Sequence, residues 1–578
     1  MVLLTVCFTK SLAQSFGIDR LEHYSFITSA LSTCEAIPDN DVTQQTIATD
    51  NLVYSSLPYP YPVGSEVYFC MSGKLTGRIA STPARLLHDE VLEPQFQYEV
   101  EYLLPAYIQI ELAMLLEYVR MGLITRQDAL EIAKALQAAE RGTVAPDPGR
   151  NMSDISFALE RHVESLLSRP VPRWHIDRSR NDVQACAQVM FGRSQWLETA
   201  DELGQLIRSI HRLAVRYRSV PMPGYTHYQS AQIITPGFYL SSINGEFVQT
   251  MTRWMHIYDE MNQCPLGAGA MAGLELPWNR QRLSKLLGFR QPRMSALAAV
   301  ASREWVLRIA GELSTFSVLV SRFTTDLIQW GSSEMNFLHL PDDLSGISSA
   351  MPQKRNFPIL ERIRGKSAHL SAFYMDMVLG QRNTAFTNLV ETSKEAGTHL
   401  LALFQQTRTL LRLLKTVTDH LQFNEERMLS ICKRDFFGGF TLANQLTLEQ
   451  GIPYRTAQVI AGRYIAAALE HGVSPNPGDA RLLQEACAEA GFYVPDTARL
   501  LASSFDVLAS LYGKKSTGST HPEEVQQMLA AQMEQAERLE LERQEREAQL
   551  LAVEARRERL LKGLLFNKKG KGVGLGAV

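Results

Sequence analysis

The segment REWVLRIAGELSTFSVLVSRFTTDLIQW, residues 303–330, decides the fold. It has apolar residues at helical spacing over its whole length and contains no proline. These residues are Val306, Leu307, Ile309, Leu313, Phe316, Leu319, Val320, Phe323 and Leu327. Similar runs cover about residues 185–217, 230–262, 359–379 and 397–420. Runs of ~20 to ~30 residues exceed the usual globular helix, and strand-like alternation is sparse, so the pattern predicts an all-α protein with a central bundle of long helices.

The chain changes character on the C-terminal side of this bundle. Beyond Asp419 glycine and proline interrupt shorter helical patterns, which indicates a smaller helical domain ending near residue 523. Residues 523–566 are dense in Glu, Arg, Gln and Ala and favour one long helix. Apolar residues recur in it every eleven positions, at Met528, Leu539, Leu550 and Leu561. This stripe is too thin for a coiled coil, so we expect a solvent-exposed helix, followed by a disordered basic tail at Lys568–Lys571.

Composition and charge limit the class of function. The chain has 578 residues, of which 45% are hydrophobic and 21% charged, as in an ordinary globular protein of several domains. A formal net charge of -3 gives no indication of nucleic-acid binding, and no apolar run approaches the ~20 residues of a membrane helix. Seven cysteines without a CxxC pair argue against a disulfide framework and a zinc site. We therefore expect a cytoplasmic protein with no signal peptide, metal, nucleic-acid partner or membrane span.

The segment Ser345–Asn356, SGISSAMPQKRN, is the most informative one for chemistry. It places two adjacent hydroxyls, a lysine and an amide on a short glycine-containing loop, and Glu361 follows it closely. Such a loop can move, carry a proton acceptor and hold a cation near a substrate carboxylate. The composition also fits an ordinary serine-rich turn, so the loop does not decide the function by itself.

A second polar segment, His175–Asp182, stands at the start of a long helical run. Its Arg178 and Arg180 can bind a carboxylate, and Asn181 can hold the second oxygen by hydrogen bonds. A helix N-terminus capped by Ser179 or Asp182 is the alternative interpretation, but it does not explain two arginines beside an asparagine.

Two more segments are less specific. Pro223–Gln229 contains His227, and a histidine is more often structural than catalytic. Gly267–Gly273 has the glycine spacing of a dinucleotide-binding loop, but no strand precedes it and no βαβ unit surrounds it. We therefore interpret Gly267–Gly273 as a site of tight packing.

Together these segments resemble the fumarase/aspartase superfamily, and within it the argininosuccinate lyase family. His175–Asp182 resembles the first conserved region of that family, Gly224–Gln229 resembles the second, and Ser345–Asn356 resembles the signature loop of the superfamily. The likeness runs from about Gly73, within Ser72–Gly77, to about Val525. Several motifs in order over this length make the resemblance specific.

The resemblance implies a three-domain all-α fold and a homotetramer with a twenty-helix core, in which three subunits line each active site. It implies elimination of an amine from an N-substituted aspartate such as argininosuccinate, with release of fumarate and without a metal or organic cofactor. The expected regions are an N-terminal extension (1–70), an N-terminal lyase domain (71–178), a central bundle with the signature loop (179–433), a small C-terminal domain (434–523), and a charged helical extension with a basic tail (524–578).

The resemblance also implies residue roles. Removal of a proton beside a carboxylate needs a base and stabilisation of a doubly charged aci-carboxylate. By motif match Ser348 is the base, and Lys354 and Asn356 stabilise the charge. His227, oriented by Glu361 of another subunit, protonates the departing nitrogen or organises a water that does. The substrate-binding residues implied are Ser179, Arg180, Asn181, Thr226, Gln229 and Arg280, with Phe386, Glu391 and Lys394 on the amine side.

The chain departs from the family pattern in several places. The family has Tyr, Gln and Lys where this chain has Phe386, Glu391 and Lys394. Ile347 replaces the glycine before the catalytic serine, which should stiffen the loop, and Phe357-Pro358 replaces Pro-Asp. The Asp-Ile-His element becomes Asp154-Ile-Ser156, and the N-terminal serine with its Asp-x-x-Gly-Ser element is not recognisable near residues 95–111. We therefore expect retained fumarate-side chemistry and altered amine recognition.

Two alternatives stay open. The loop sequence Ser-Ala-Met-Pro-x-Lys-Arg-Asn also resembles adenylosuccinate lyase, although the segments at 178–182 and 224–227 argue against that enzyme. A catalytically silent structural or regulatory oligomer is the alternative of another class. The presence of Ser348, Lys354 and His227 argues against it, because buried polar groups are costly without a role.

Overall fold

A computed structural model of the chain describes residues 78–79, 81–140 and 142–566. The predicted N-terminal extension, the motif Ser72–Gly77 and the basic tail lie outside these residues. The described helices are α1 Arg85–Leu87, α2 Glu93–Tyr102, α3 Leu104–Arg120, α4 Arg126–Gln137, α5 Ile155–Leu166, α6 Arg180–Arg216, α7 Pro236–Met261, α8 Arg280–Leu286, α9 Ala296–Ala301, α10 Glu304–Trp330, α11 Pro358–Gln381, α12 Val390–Ser393, α13 Leu400–His420, α14 Glu425–Arg434, α15 Gly439–Gln450, α16 Tyr454–Glu470, α17 Ala480–Glu489, α18 Thr497–Ser504, α19 Val507–Tyr512 and α20 Pro522–Phe566. A π-helical turn, His88–Leu92, joins α1 to α2.

Five long helices, α6, α7, α10, α11 and α13, form the centre of the molecule, as the sequence predicts. Large aromatic side chains fill their interior. The rings of Trp196 and Trp254 lie 4.8 Å apart, and Trp254 contacts Phe316 at 5.6 Å. The indole N–H of Trp196 donates to the Trp254 carbonyl at 2.6 Å, so this buried polar group is satisfied. The predicted all-α architecture with a long-helix bundle is confirmed.

The predicted start of α7 is six residues too early. The sequence pattern extended it back to residue 230, but Gln229–Ile234 is a strand. The hydroxyl of Thr235 accepts from the Phe238 N–H at 2.9 Å, and Pro236 occupies the first helical turn. Both features start a helix, and the amphipathic pattern continues across them. The helical periodicity therefore extended the predicted helix into a strand, and only the capping residues Thr235 and Pro236 mark the boundary.

The strands are short and pair in twos. They are β1 Met222–Thr226, β2 Gln229–Ile234, β3 Gln263–Cys264, β4 Gln291–Pro292, β5 Leu338–His339, β6 Gly346–Ile347, β7 Arg355–Asn356 and β8 Gln422–Phe423. β1 and β2 form an antiparallel hairpin, and β6 and β7 form another. Both hairpins carry predicted site residues.

From α14 to α19 the helices are shorter, as predicted, and α15 to α18 enclose a separate hydrophobic core. Its buried members include Leu446, Ile460, Tyr464 and Leu501. This part of the chain therefore has its own apolar interior.

The helix α20 corrects the prediction of a solvent-exposed extension. Leu539 and Leu561 are buried, and Met528 and Leu550 pack against the main core. The eleven-residue stripe is therefore the contact face of the helix, which runs along α6 and α7. Polar contacts also join α20 to α7, since Arg546 pairs with Asp259 at 2.9 Å. A thin stripe suffices because the partner is a preformed bundle surface rather than a second, equally thin helix.

No single described helix has the length and apolarity needed to cross a membrane. One pair, Arg85–Tyr102 and Leu104–Arg120, passes that test jointly, with a bend of 71° between its members.

Candidate active site

The N-terminus of α6 gathers the predicted carboxylate-binding residues. Ser179 caps the helix by accepting from the Asn181 N–H at 3.2 Å. The Arg180 guanidinium lies 4.5 Å above the Phe157 ring and pairs with Asp154 at 2.7 Å. It remains half exposed, and the Asn181 amide donates to the Ala270 carbonyl at 3.1 Å. A helix N-terminus with a positioned, accessible arginine is suited to an anionic ligand.

Asp182 ties this helix start to the glycine segment. One of its carboxylate oxygens accepts from the N–H groups of Gly267, at 2.8 Å, and Gly269, at 3.0 Å. Both glycines have positive φ, and a Cβ at Gly269 would lie 2.6 Å from the Gly273 carbonyl oxygen. Burial raises the pKa of the Asp182 carboxyl to about 6, although the two amide donors oppose the shift. The interpretation as tight packing is confirmed for Gly267–Gly269, whereas Ala270–Gly273 are exposed and a Cβ at Gly273 would have no neighbour within 4 Å.

Arg178 does not serve as a ligand group, which corrects the expectation for one of the two arginines. Its side chain is buried and makes two hydrogen bonds to the carboxylate of Glu111. The charge of Arg178 lowers the pKa of Glu111 against the opposing effect of burial. A bidentate buried pair of this kind neutralises both charges, so Arg178 is part of the support beneath Ser179 and Arg180.

The amine-side residues are only partly brought together. The Lys394 ammonium is bonded to the buried Glu99 carboxylate and lines a cavity. Arg280 is partly buried and donates to the Leu266 carbonyl at 3.3 Å. Burial lowers the pKa of its guanidinium. Phe386 and Glu391 are exposed, and neither lines that cavity.

The hairpin β1–β2 presents the second group of predicted residues. His227 and Tyr228 form its turn, with φ of 53° and 59°. Two non-glycine residues in the left-handed region are uncommon, and such strain concentrates at functional sites. Thr226 and Gln229 flank the turn and are exposed, as His227 is. The hairpin is anchored by a 2.7 Å bond from the Ser230 hydroxyl to Asp435.

The signature loop is the tip of the hairpin β6–β7. The Ser348 hydroxyl oxygen accepts from the N–H groups of Met351, at 3.0 Å, and Ala350, at 3.4 Å. Arg355 fastens the base of the loop through Ser345, at 3.2 Å, and Asp342, at 3.0 Å. Ile347 is 93% exposed. Lys354 is exposed and Asn356 partly so, and Glu361 is exposed on the first turn of α11.

These groups lie at opposite ends of the bundle. α6 has 37 residues, which gives a length of about 55 Å. We call the N-terminal end of α6 the arginine end; it holds Ser179, Arg180, Asn181, Arg280 and Lys394. At the other end the Gly237 N–H bonds to the Tyr217 carbonyl at 3.1 Å, where α7 begins.

We call this second end the loop end; it holds Thr226, His227, Gln229, Ser348, Lys354, Asn356 and Glu361. The hairpin β1–β2 meets there the segment that leads into the hairpin β6–β7, since the Tyr225 ring stacks on Phe337 at 6.4 Å, just before β5. Within one chain, the two sets of predicted residues are therefore far apart.

A family model described as lyase matches residues 118–371. The argininosuccinate lyase of Bartonella tribocorum is 30% identical over 389 residues, covering 66% of this chain and 80% of the relative. Argininosuccinate lyase 1 of Shouchella clausii is 27% identical over 466 residues, covering 80% of this chain and 93% of the relative. The chain belongs to the argininosuccinate lyase family.

As a member of the argininosuccinate lyase family, the chain is a carbon–nitrogen lyase that releases fumarate from an N-substituted aspartate. The fold agrees with solved structures of the superfamily. A crystal structure of EDDS lyase in complex with formate superimposes with a TM-score of 0.72 at 24% identity, covering 85% of this chain and 97% of that chain. A recombinant class II fumarase from Schistosoma mansoni gives a TM-score of 0.57 at 17% identity, covering 71% of this chain and 90% of that chain.

Sequence reasoning missed three residues that contact or adjoin the predicted site residues of this argininosuccinate lyase-family chain. Glu99 binds the ammonium of Lys394, and nothing local marks this glutamate in an amphipathic helix. Arg355 fastens the loop, and its place beside Lys354 was the available signal. Arg303 is buried beside the cavity, and it is the first residue of the helical run 303–330.

Proposed function

We propose that this lyase works as a homotetramer in which the loop end of one subunit meets the arginine end of another. Each such junction converts argininosuccinate, or a related N-substituted aspartate, into an amine and fumarate. The observation that carries the proposal is the separation of the two sets of residues by about the length of α6. Neither end alone has both a base and a complete set of carboxylate ligands.

Ser348 is the base in this proposal. A serine hydroxyl is a weak base unless its alkoxide is stabilised, and hydrogen bonds to the charged form lower a pKa. The N–H groups of Met351 and Ala350 both point at the Ser348 oxygen. They support an alkoxide that takes the proton from the carbon beside the substrate carboxylate.

Residues of both the loop end and the arginine end stabilise the negative charge that develops on the substrate. Lys354 and Asn356, on the same hairpin as Ser348, stabilise the aci-carboxylate that proton removal creates. Ser179, Arg180 and Asn181, with Thr226, hold the substrate carboxylates, and Arg180 remains half exposed despite its contact with Asp154. Arg280 and Gln229 complete the wall of the site.

His227 delivers a proton to the departing nitrogen, directly or through a water. Its place at the tip of a strained turn lets it project from its own subunit. Glu361 is exposed on the first turn of α11 and is the carboxylate that orients the histidine of a neighbouring subunit.

The four described cysteines are free, which supports a cytoplasmic location.

The test is the appearance of fumarate, followed by its ultraviolet absorbance, from argininosuccinate and a panel of other N-substituted aspartates. Fumarate from at least one of them supports the proposal. Fumarate from other substrates but not from argininosuccinate indicates an altered amine pocket. Adenylosuccinate as the sole substrate would replace the proposal by the adenylosuccinate lyase alternative. No fumarate from any substrate, with the oligomer intact, would favour the catalytically silent alternative.

A further inference from the structure

A partly open cavity of about 360 Å³ lies at the arginine end, beside the pair of Lys394 and Glu99. Most of its wall is apolar. The apolar side chains are Val91, Pro94, Tyr98, Leu103, Phe191, Trp305, Val306 and Leu400. Its volume falls in the range of small-molecule sites. Glu99 is close enough to Asp154 and Arg180 to interact with them electrostatically, so the cavity adjoins the proposed carboxylate site.

Arg303 gives this cavity its charge. The residue is 4% exposed and lines the wall. Its guanidinium donates to the Val300 carbonyl at 2.8 Å and to the Gln188 side chain at 3.2 Å. The remaining terminal nitrogen is buried and has no partner in the described part of the chain. A buried guanidinium bonded only to neutral groups lacks the anion that normally compensates its desolvation.

The other charged residues of the cavity wall do not compensate the charge of Arg303. The carboxylate of Glu99 is already bonded to Lys394, and these two neutralise each other. Glu90 and Glu395 are exposed at the rim, where water screens them. The buried part of the cavity therefore carries one uncompensated positive charge, which favours a carboxylate and disfavours a guanidinium.

We infer that the amine released by this lyase is an amino acid with a large apolar side chain, whose carboxylate binds Arg303. The inference rests on the proposed function and names the substrate class of the same site. The substrate would be an aspartate N-linked to such an amino acid. In the step, the Ser348 oxygen takes the proton from the carbon beside the aspartate carboxylate, and the C–N bond breaks. Its electron pair leaves with nitrogen, His227 supplies a proton to that nitrogen, and the products are fumarate and the free amino acid.

The experiment runs the reaction in reverse, because the amines are available and fumarate consumption is read directly. Four amines are offered with fumarate: L-phenylalanine, phenethylamine, L-arginine and agmatine. L-phenylalanine should react best, since it has both the apolar body and the carboxylate. Phenethylamine, which lacks only the carboxylate, should react about 100-fold more slowly. L-arginine and agmatine should react more slowly than L-phenylalanine.

Arg303→Gln isolates the guanidinium. It should abolish the preference of L-phenylalanine over phenethylamine. Arg303→Lys should restore part of the preference, and Arg290→Gln, at an exposed arginine outside the cavity, should have no effect. Binding gives a readout besides turnover, because Trp305 lines the cavity. 3-Phenylpropionate should change the tryptophan fluorescence of the wild type and fail to do so in Arg303→Gln.

The outcomes separate this inference from the proposed function. Reaction with L-arginine but not with L-phenylalanine would overturn the inference and leave the lyase intact. Equal rates with L-phenylalanine and phenethylamine would also overturn it. No reaction with any amine, together with no fumarate from the N-substituted aspartates, would overturn the proposed function itself. If Arg303→Gln does not fold, the wild-type comparison of the four amines and the binding of 3-phenylpropionate still decide the inference.

Discussion

The arginine end and the loop end differ in how firmly one chain fixes them. At the arginine end Arg178, Asp182 and Lys394 are each buried or partly buried and bonded to a partner. At the loop end Arg355 fastens the base of the signature loop, but Ile347 at its tip is almost fully exposed. The difference indicates that the proposed carboxylate-binding residues are held firmly within the subunit, whereas the proposed base, Ser348, lies on an exposed loop.

The largest effect is expected at the loop end. Ser348→Ala removes the proposed base and should lower turnover by about 10²- to 10⁴-fold without changing the oligomer. Ser349→Ala is the matched control, because this neighbouring serine is exposed and carries no assigned role. Fumarate formation and light scattering measure both properties. Equal losses in the two variants would mean that the loop, and not the Ser348 hydroxyl, matters.

The arginine end should respond in stability instead. Glu111→Gln leaves the buried Arg178 without its counterion and should lower the free energy of unfolding by about 3–5 kcal/mol. Glu164→Gln breaks the exposed pair with Arg161 and should cost about 0–1 kcal/mol. Urea unfolding measures both values. Similar small costs would show that the arginine end is no firmer than the loop end.

The helix α20 spans the distance between the two ends and should contribute to both. Leu539→Ala removes a buried side chain and should cost about 2–3 kcal/mol, whereas Leu541→Ala, at a 60% exposed position, should cost less than about 0.5 kcal/mol. Thermal unfolding of the two variants makes the comparison. Equal effects would contradict the packing of α20 and return it to a solvent-exposed helix.

A smaller and pH-dependent effect is expected from Asp182. Its pKa is about 6 in the folded chain against an ordinary 3.8, so the folded state binds a proton more readily between these values. The contribution of Asp182 to the free energy of unfolding therefore falls as pH rises from about 4 to about 6, and stays low above that. The cause is that burial disfavours the charged form of the Asp182 carboxylate in the folded chain.

Asp182→Asn keeps an oxygen for the two glycine N–H groups and removes the titration. Its stability relative to the wild type should rise by about 2–3 kcal/mol between pH 4 and pH 7. Urea unfolding at a series of pH values gives this difference, in which other titrating groups such as His175 cancel. A flat difference would show that Asp182 is ionised throughout and that the arginine end is more polar than its burial suggests.

The fold could be predicted from the sequence wherever one face of a helix carries a continuous apolar stripe. α10 follows that rule to within one residue and α13 to within three. Gln229–Ile234 did not, because the helical pattern continues into a strand that only Thr235 and Pro236 delimit. The burial of α20 could not be predicted, since a thin stripe does not say what surface will cover it.

The sequence predicted which residue types belong to the site, but it could not predict which partners those residues bind. The motifs single out Arg178 and Arg180 equally, and only the nearby Glu111 and Asp154 separate a buried structural arginine from an accessible one. Glu99 lies 295 residues from Lys394 in sequence, and no local pattern joins them. The spacing of motifs along the chain also conceals that they fall at opposite ends of one long helix.

The most direct test of shared sites uses two inactive chains. Ser348→Ala disables a loop end and Arg180→Ala disables an arginine end, and the two chains are co-expressed with different tags and purified by both. Mixed oligomers should regain activity, because junctions that combine the intact ends of both chains form at about a quarter of the sites. Mixed oligomers as inactive as either parent, with both chains folded and present, would contradict the sharing of sites between subunits.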